Sequence, residues 1–140
     1  MSKLHKGKYT PENPEKYVGK TIPIFRSHWE LVVCRMCDHH PNITQWASEP
    51  MKIPYKNPLT GRQTVYVPDF LVMFEDRTGA TRLELWEVKP AEQAYLSEAK
   101  RPKDQLAFAV NMAKWGAARK WAKRHNAEFR VITQKELFRT

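Results

Sequence analysis

The spacing of apolar residues changes several times along the 140-residue chain. Residues 1–22 show no apolar period and carry Pro11, Pro14 and five lysines, which predicts an extended, partly disordered basic arm. Ser27 followed by Glu30 has the spacing of a capping box, and it opens a run of Trp29, Leu31, Val32, Val33, Cys34, Met36 and Cys37. That run predicts a short, largely buried helix ending near His39, His40 and Pro41. Two stretches rich in β-branched and aromatic residues, 43–53 and 63–74, lie on either side of Asn57, Pro58 and Gly61. They predict two strands joined by a loop, and residues 81–89, after a turn around Gly79, predict a third. From Pro102 onwards Leu106, Val110, Ala113, Ala117 and Trp121 recur at intervals of three and four, predicting a long helix over roughly 103–125 with that stripe inward. Residues 129–133 predict a last strand and 134–138 a closing turn or short helix.

The resulting order, α-β-β-β-α-β, has no internal repeat. It describes one α/β domain spanning 1–140, with a mixed, mainly antiparallel sheet of about four strands packed between helices. The longest uninterrupted apolar run, 70–74, is far shorter than the roughly 18 residues needed to cross a bilayer. Residues 1–10 lack the apolar stretch of a signal peptide. The expectation is a soluble, non-secreted chain with no membrane partner. Two cysteines, Cys34 and Cys37, are too few and too close for a disulfide framework, which places the chain in a reducing compartment.

Charge sharpens the picture once it is split along the chain. Lysine and arginine total 24 against 15 acids, a formal net charge of +9. Residues 1–20 hold 5 bases and 2 acids, residues 21–90 hold 8 and 8, and residues 91–140 hold 11 and 5. The excess therefore sits at the two ends, where it can attract a polyanion through counterion release, while the neutral middle holds the carboxylates.

That middle contains the candidate chemistry. In Leu-Glu-Leu-Trp-Glu-Val-Lys-Pro, Glu87 and Lys89 are two residues apart on a strand, so both side chains point to one face. If the preceding strand pairs with it through the Gly79 turn, Asp69 of Val-Pro-Asp-Phe comes beside Glu87. Two carboxylates form a hard-oxygen site suited to Mg²⁺ or Mn²⁺, with Lys89 placed to orient or deprotonate a water or to stabilise developing charge. Glu30 can add a helical carboxylate, although capping competes for it.

Pro68-Asp69, then Glu87-Val88-Lys89, after a helical Glu30, resembles the PD-(D/E)xK nuclease motif. The fold of that superfamily is a restriction-endonuclease-like core in the same α-β-β-β-α-β order. A resemblance over nearly the whole chain is to the head-completion nucleases of large tailed phages. It is carried by Tyr17 to Gly19, Phe25-Arg26-Ser27-His28-Trp29-Glu30, Ser48-Glu49-Pro50 with Ile53-Pro54-Tyr55, Glu87-Val88-Lys89-Pro90, Lys114-Trp115 with Ala117-Ala118, and Phe129 to Thr133. Similar blocks occur in the endonuclease subunit of heteromeric cut-and-paste transposases, which carries an additional C-terminal domain and works with a partner protein. The resemblance implies a metal-dependent DNA endonuclease acting late in capsid assembly, in the host cell cytoplasm or on the virion, with capsid portal or neck proteins as partners. It also implies Asp69 and Glu87 as metal ligands, a main-chain carbonyl from Val88, Lys89 as the catalytic lysine, Glu30 as the helix carboxylate, and Glu49 as a supporting or substrate-side carboxylate. A non-enzymatic DNA-binding connector on the same fold is the rival reading.

Lys6, Lys8 and Arg26 near the N-terminus, and Arg119, Lys120 and Lys123 on the long helix, are the candidate contacts to a DNA backbone. Cys34 and Cys37 with His39 and His40 have zinc-ligand chemistry. Their i, i+3 spacing on an apolar helix, without a second pair, instead predicts buried thiols, exposed histidines and no structural zinc. His28 reads as a surface residue of the first turn, and Trp115 and Trp121 as packing of the long helix on the sheet.

Overall fold

The computed structural model describes residues 6–95 and 98–137. Its centre is a four-stranded sheet in the order β3 (Ile43–Ser48), β6 (Phe70–Glu75), β7 (Thr81–Val88), β8 (Glu128–Ile132). The first two pairings are antiparallel and the last is parallel. With α1 (His28–His39) before β3 and α3 (Pro102–Arg124) between β7 and β8, the core follows the expected α-β-β-β-α-β order. Smaller elements complete it: the pair β1 (Gly7–Lys8) and β2 (Ile24–Phe25), the hairpin β4 (Ile53–Lys56) and β5 (Gln63–Tyr66), and the single turns α2 (Ala91–Ala94) and α4 (Gln134–Leu137).

Strand alternation sorts the side chains into two cores. Phe70, Val72, Trp86 and Val88 point to α1, where they meet Val33, Cys34, Cys37 and Trp46. Leu71 and Leu85 point the other way, to Trp115 and Ala118 of α3 and to Ile53 and Tyr66 of the hairpin. Asp69 and Glu87 share the parity of this second face.

Each of the two long strands expected from composition is broken in two. After β3 the chain turns at Glu49, whose φ of +46° lies in the left-handed region. Pro50 follows, and the chain leaves the sheet to build the separate hairpin of β4 and β5. It returns through Val67-Pro68-Asp69. A proline lacks the N–H that a central strand must donate, so both breaks fall where Pro50 and Pro68 stand.

The arm is not the loose tail expected of residues 1–22; from residue 6 it is tied down, and only 1–5 lie outside the described residues. Buried Asp38, near the end of α1, accepts from Tyr9 Oη (2.5 Å), Glu12 N (2.8 Å) and Asn13 N (2.9 Å). Lys16 Nζ donates to the Asp38 and His40 carbonyls at the C-terminal end of that helix, where a cation complements the helix dipole. Tyr17 packs edge-on against Trp46, with ring centroids 4.8 Å apart.

The inward face of α3 is also displaced from the predicted stripe. Asp104, Asn111, Trp115, Ala118 and Ala122 are its buried residues, whereas Leu106 is 54% exposed. Two polar residues disguised that face. Asp104 accepts from Arg101 Nε (2.7 Å), and Asn111 donates to the Gln93 carbonyl (3.3 Å).

Cys34 and Cys37 are buried free thiols, and His39 and His40 are exposed. Burial pushes the Cys34 thiol up to about 12 and Cys37 higher still.

Candidate active site

The candidate site gathers at the end of β7, where Glu84 to Val88 are buried. The β6–β7 register pairs Phe70 with Trp86, so the residue before β6 falls opposite Glu87. Asp69 accordingly turns its Oδ2 onto the backbone N–H of Val88 at 2.8 Å. Glu87 is buried; its Oε1 accepts from Tyr66 Oη (2.5 Å) and its Oε2 lies 3.6 Å from Lys89 Nζ. The Lys89 backbone N–H donates to Ile132 O (2.9 Å), so the parallel strand β8 holds the lysine's main chain in place.

Glu30 approaches from the α1 side. Ser27 caps the helix by accepting from Glu30 N (3.2 Å), as the spacing predicted. The return bond differs from a standard capping box: Glu30 Oε1 accepts from Arg26 N (3.1 Å), one residue before the cap. Capping and site roles therefore do not exclude each other. Glu49 stands on the same rim. Its backbone N–H donates to Asp69 O (2.9 Å), and its carboxylate holds Arg26 through two bonds of 2.7 and 3.2 Å.

Electrostatics unify these groups. Burial, together with the charges of Glu87 and Glu30, pushes the Asp69 carboxyl well above the ordinary carboxylate range. Burial likewise raises Glu87, opposed by Lys89, Tyr66 and Lys114, and raises Glu30, which also feels Glu87 and Glu49. Three carboxyls raised by burial, two of them also by neighbouring carboxylates, are short of positive charge, the condition a bound cation relieves. Among the described residues no three His, Cys, Asp or Glu side chains stand close enough to form a ready-made metal cage. The donor set is instead Asp69 and Glu87 with a main-chain carbonyl at Val88, all hard oxygens, and it fits a small divalent cation that keeps several waters.

Two members of the site were not singled out from the sequence. Tyr66 is buried and orients Glu87. Lys114 reaches in from α3, with Nζ 5.8 Å from the centroid of the Tyr66 ring. Burial, then the nearby Lys89, lowers its pKa. Tyr66 gave no signal, being one aromatic in a strand; Lys114 lies in one of the blocks that carry the resemblance.

The candidate DNA contacts divide. Arg26 and exposed His28 line a cleft of about 680 Å³ that reaches Glu30, Val88 and Lys89 and continues to Arg101 and Lys103. Lys6 and Lys8 are exposed, and extending the β1–β2 register sets Lys6 opposite Arg26. Arg119, Lys120 and Lys123 are not brought to Asp69. They lie about 8–14 Å beyond Lys114 along the helix axis, because α3 runs away from the sheet end.

A mixed sheet with Asp69, Glu87 and Lys89 gathered at one strand end, and a helical carboxylate beside them, defines a nuclease of the PD-(D/E)xK class. A family model described as TnsA-like endonuclease N terminal matches residues 40–134, and the chain belongs to that family of endonucleases. It is also 30% identical over 141 residues to the head completion nuclease of Enterobacteria phage T4, covering 93% of this chain and 91% of that protein. Among the described residues no helix is long and apolar enough to cross a membrane.

Proposed function

We propose that this chain is a Mg²⁺- or Mn²⁺-dependent DNA endonuclease that acts in completing a phage head, in the cytoplasm of the infected host cell. The observation that carries the chemistry is the convergence of Asp69, Glu87 and Lys89 at one strand end, with burial raising both carboxyls. The role in head completion rests on the likeness to the T4 protein, and portal or neck proteins are the partners that such a role calls for.

Asp69, Glu87 and the Val88 carbonyl would hold the cation. When bound, it supplies a Lewis acid that lowers the pKa of a water and neutralises charge on the phosphodiester. Lys89, fixed by its backbone bond to β8, orients the attacking water and offsets charge growing on the phosphate oxygens. Tyr66 keeps Glu87 in one orientation, a supporting contact of the kind that tunes metal sites. Glu30 holds the cleft side of the site, and Glu49 keeps Arg26 at the rim until a backbone phosphate competes for the guanidinium. The basic ends draw the DNA in.

The test is nicking of supercoiled plasmid in Mg²⁺, Mn²⁺ or EDTA by wild type, Lys89→Ala and Asp69→Ala, each shown folded by circular dichroism. Metal-dependent nicking that is lost in both variants is expected. Cutting that survives both substitutions would overturn the assignment, and DNA binding without any cutting would favour the connector reading.

A further inference from the structure

The basic residues on the distal half of α3 do not form one face. Arg119 and Lys123 turn toward β8, where the Arg119 guanidinium lies 5.7 Å from the centroid of the Phe129 ring and Glu128 is a neighbour. Lys120 and Arg124, four residues apart, turn the other way, toward the β4–β5 hairpin. Between helix and hairpin runs a groove of about 530 Å³, with Tyr55 and Lys56 on one wall and Gly116, Lys120, Trp121 and Arg124 on the other.

Its charge is one-sided. Residues 51–66, which build the hairpin, contain Lys52, Lys56 and Arg62 and no acid. Residues 105–124 of α3 contain Lys114, Arg119, Lys120, Lys123 and Arg124 and again no acid. Among the described residues no carboxylate lines the groove, and none on either wall pairs with its rim cations. The floor is apolar, from Ile53 and Pro54 to Met112 and Ala117. Gly116 contributes to that shape: a Cβ built there would meet nothing within 4 Å, so the helix opens its backbone directly to the groove. The groove also begins beside the site. Ile53, which lines it, is the register partner of Tyr66, and Ala113 adjoins Lys114.

We infer that this groove binds single-stranded DNA, with backbone phosphates on Lys56, Lys120 and Arg124 and a base or sugar against the apolar floor beside half-buried Trp121. An apolar floor, an edge formed by the Trp121–His125 stack (ring centroids 3.9 Å apart) and a purely cationic rim make a surface suited to unpaired nucleotides. A duplex keeps its bases paired and stacked and offers none to an apolar floor, so the form that suits the groove is an unpaired strand. The inference rests on the nuclease reading and adds a substrate class to it: DNA that carries an unpaired stretch next to the bond that is cut. Lys120 then works with Arg124 and Lys56, and Arg119 and Lys123 contribute only to the general field.

Gly116 permits a clean test, because a side chain there enters the groove and not the core. Full-length wild type, Gly116→Ala, Gly116→Glu and Lys56→Ala/Arg124→Ala are compared by fluorescence anisotropy on labelled oligothymidylate and on a blunt duplex, in EDTA, beside plasmid nicking in Mg²⁺. Gly116→Glu and the double variant are expected to weaken oligothymidylate binding about tenfold while duplex binding and the circular-dichroism melt stay as in wild type. In the double variant the slope of log affinity against log salt falls by about 1.4, two phosphate contacts on a single strand. Gly116→Ala keeps wild-type binding. Unchanged oligothymidylate binding in both altered grooves, with wild-type nicking, would overturn the groove and leave the nuclease reading standing; equal loss on duplex would overturn it too. A wild type that neither binds nor nicks DNA would remove both.

Discussion

Asp38 accepts hydrogen bonds from one hydroxyl and two backbone N–H groups, all drawn from the arm. Among the described residues the Asp69 carboxyl accepts one bond, from Val88 N, and it feels the charges of Glu87 and Glu30. Asp38 lies at the end of α1 under the arm and Asp69 on the opposite face of the sheet, and burial raises the pKa of each. In Asp38 the donors from Tyr9, Glu12 and Asn13 outweigh burial and hold it below its ordinary value. In Asp69 one donor cannot, and the neighbouring acids add to burial. Depth alone therefore does not decide what a carboxyl is for. Donors complete a structural one, whereas like charges leave a functional one incomplete.

The largest effect that can break this contrast is that of Asp69→Asn, which keeps an oxygen for Val88 N and removes the charge. Nicking is expected to fall on the order of 10³-fold, while the metal-free protein melts a few degrees higher at neutral pH. The sign follows from proton linkage. Where a folded carboxyl titrates above its unfolded value, the native state holds more protons in the interval between, so its stability falls as pH rises through that interval. The advantage of the variant should therefore vanish below the ordinary carboxylate range. A variant no more stable than wild type at neutral pH would show that the site is not electrostatically strained.

Asp38→Ala comes next and should move stability the other way. It strands the Tyr9 hydroxyl and two N–H groups, at a cost of about 3 kcal/mol in urea unfolding. That cost should shrink as pH falls through the depressed pKa of Asp38. Nicking per folded molecule should be unchanged, and hydrogen exchange should quicken over residues 9–18. A loss of nicking in a folded Asp38→Ala protein would join the two regions that the comparison separates.

The smallest effect sharpens the site itself. Tyr66→Phe keeps the ring and loses the bond to Glu87, so the Mg²⁺ concentration for half-maximal nicking should rise about tenfold with little change in melting. An unchanged metal requirement would demote Tyr66 to packing.

The sheet, the order of elements along the chain and the meeting of Asp69 with Glu87 and Lys89 were legible in spacing, because strand parity and one turn at Gly79 fix that meeting. What escaped was set by long-range partners. The β4–β5 hairpin hid inside two apolar runs, although Pro50 and Pro68 mark where the chain leaves the sheet and returns to it. Asp104 and Asn111 made the inner face of α3 read as polar, and the arm seemed loose because its anchor, Asp38, lies more than twenty residues away. Tyr66 and Lys114 belong to elements that meet the site only through the tertiary fold. The readable part of the site lies on two neighbouring strands, and the unread part comes from across the core.

The parallel pairing of β8 with β7 bears on the order in which the protein is made. Lys89 has its main chain fixed by Ile132, which is synthesised more than forty residues later, after the whole of α3. While the chain is emerging from the ribosome, Asp69 and Glu87 can already pair through the β6–β7 hairpin, but the edge that steadies Lys89 stays open. The main chain of Lys89 is thus steadied only once β8 has been made, and a chain interrupted before β8 carries its carboxylates without a fixed lysine.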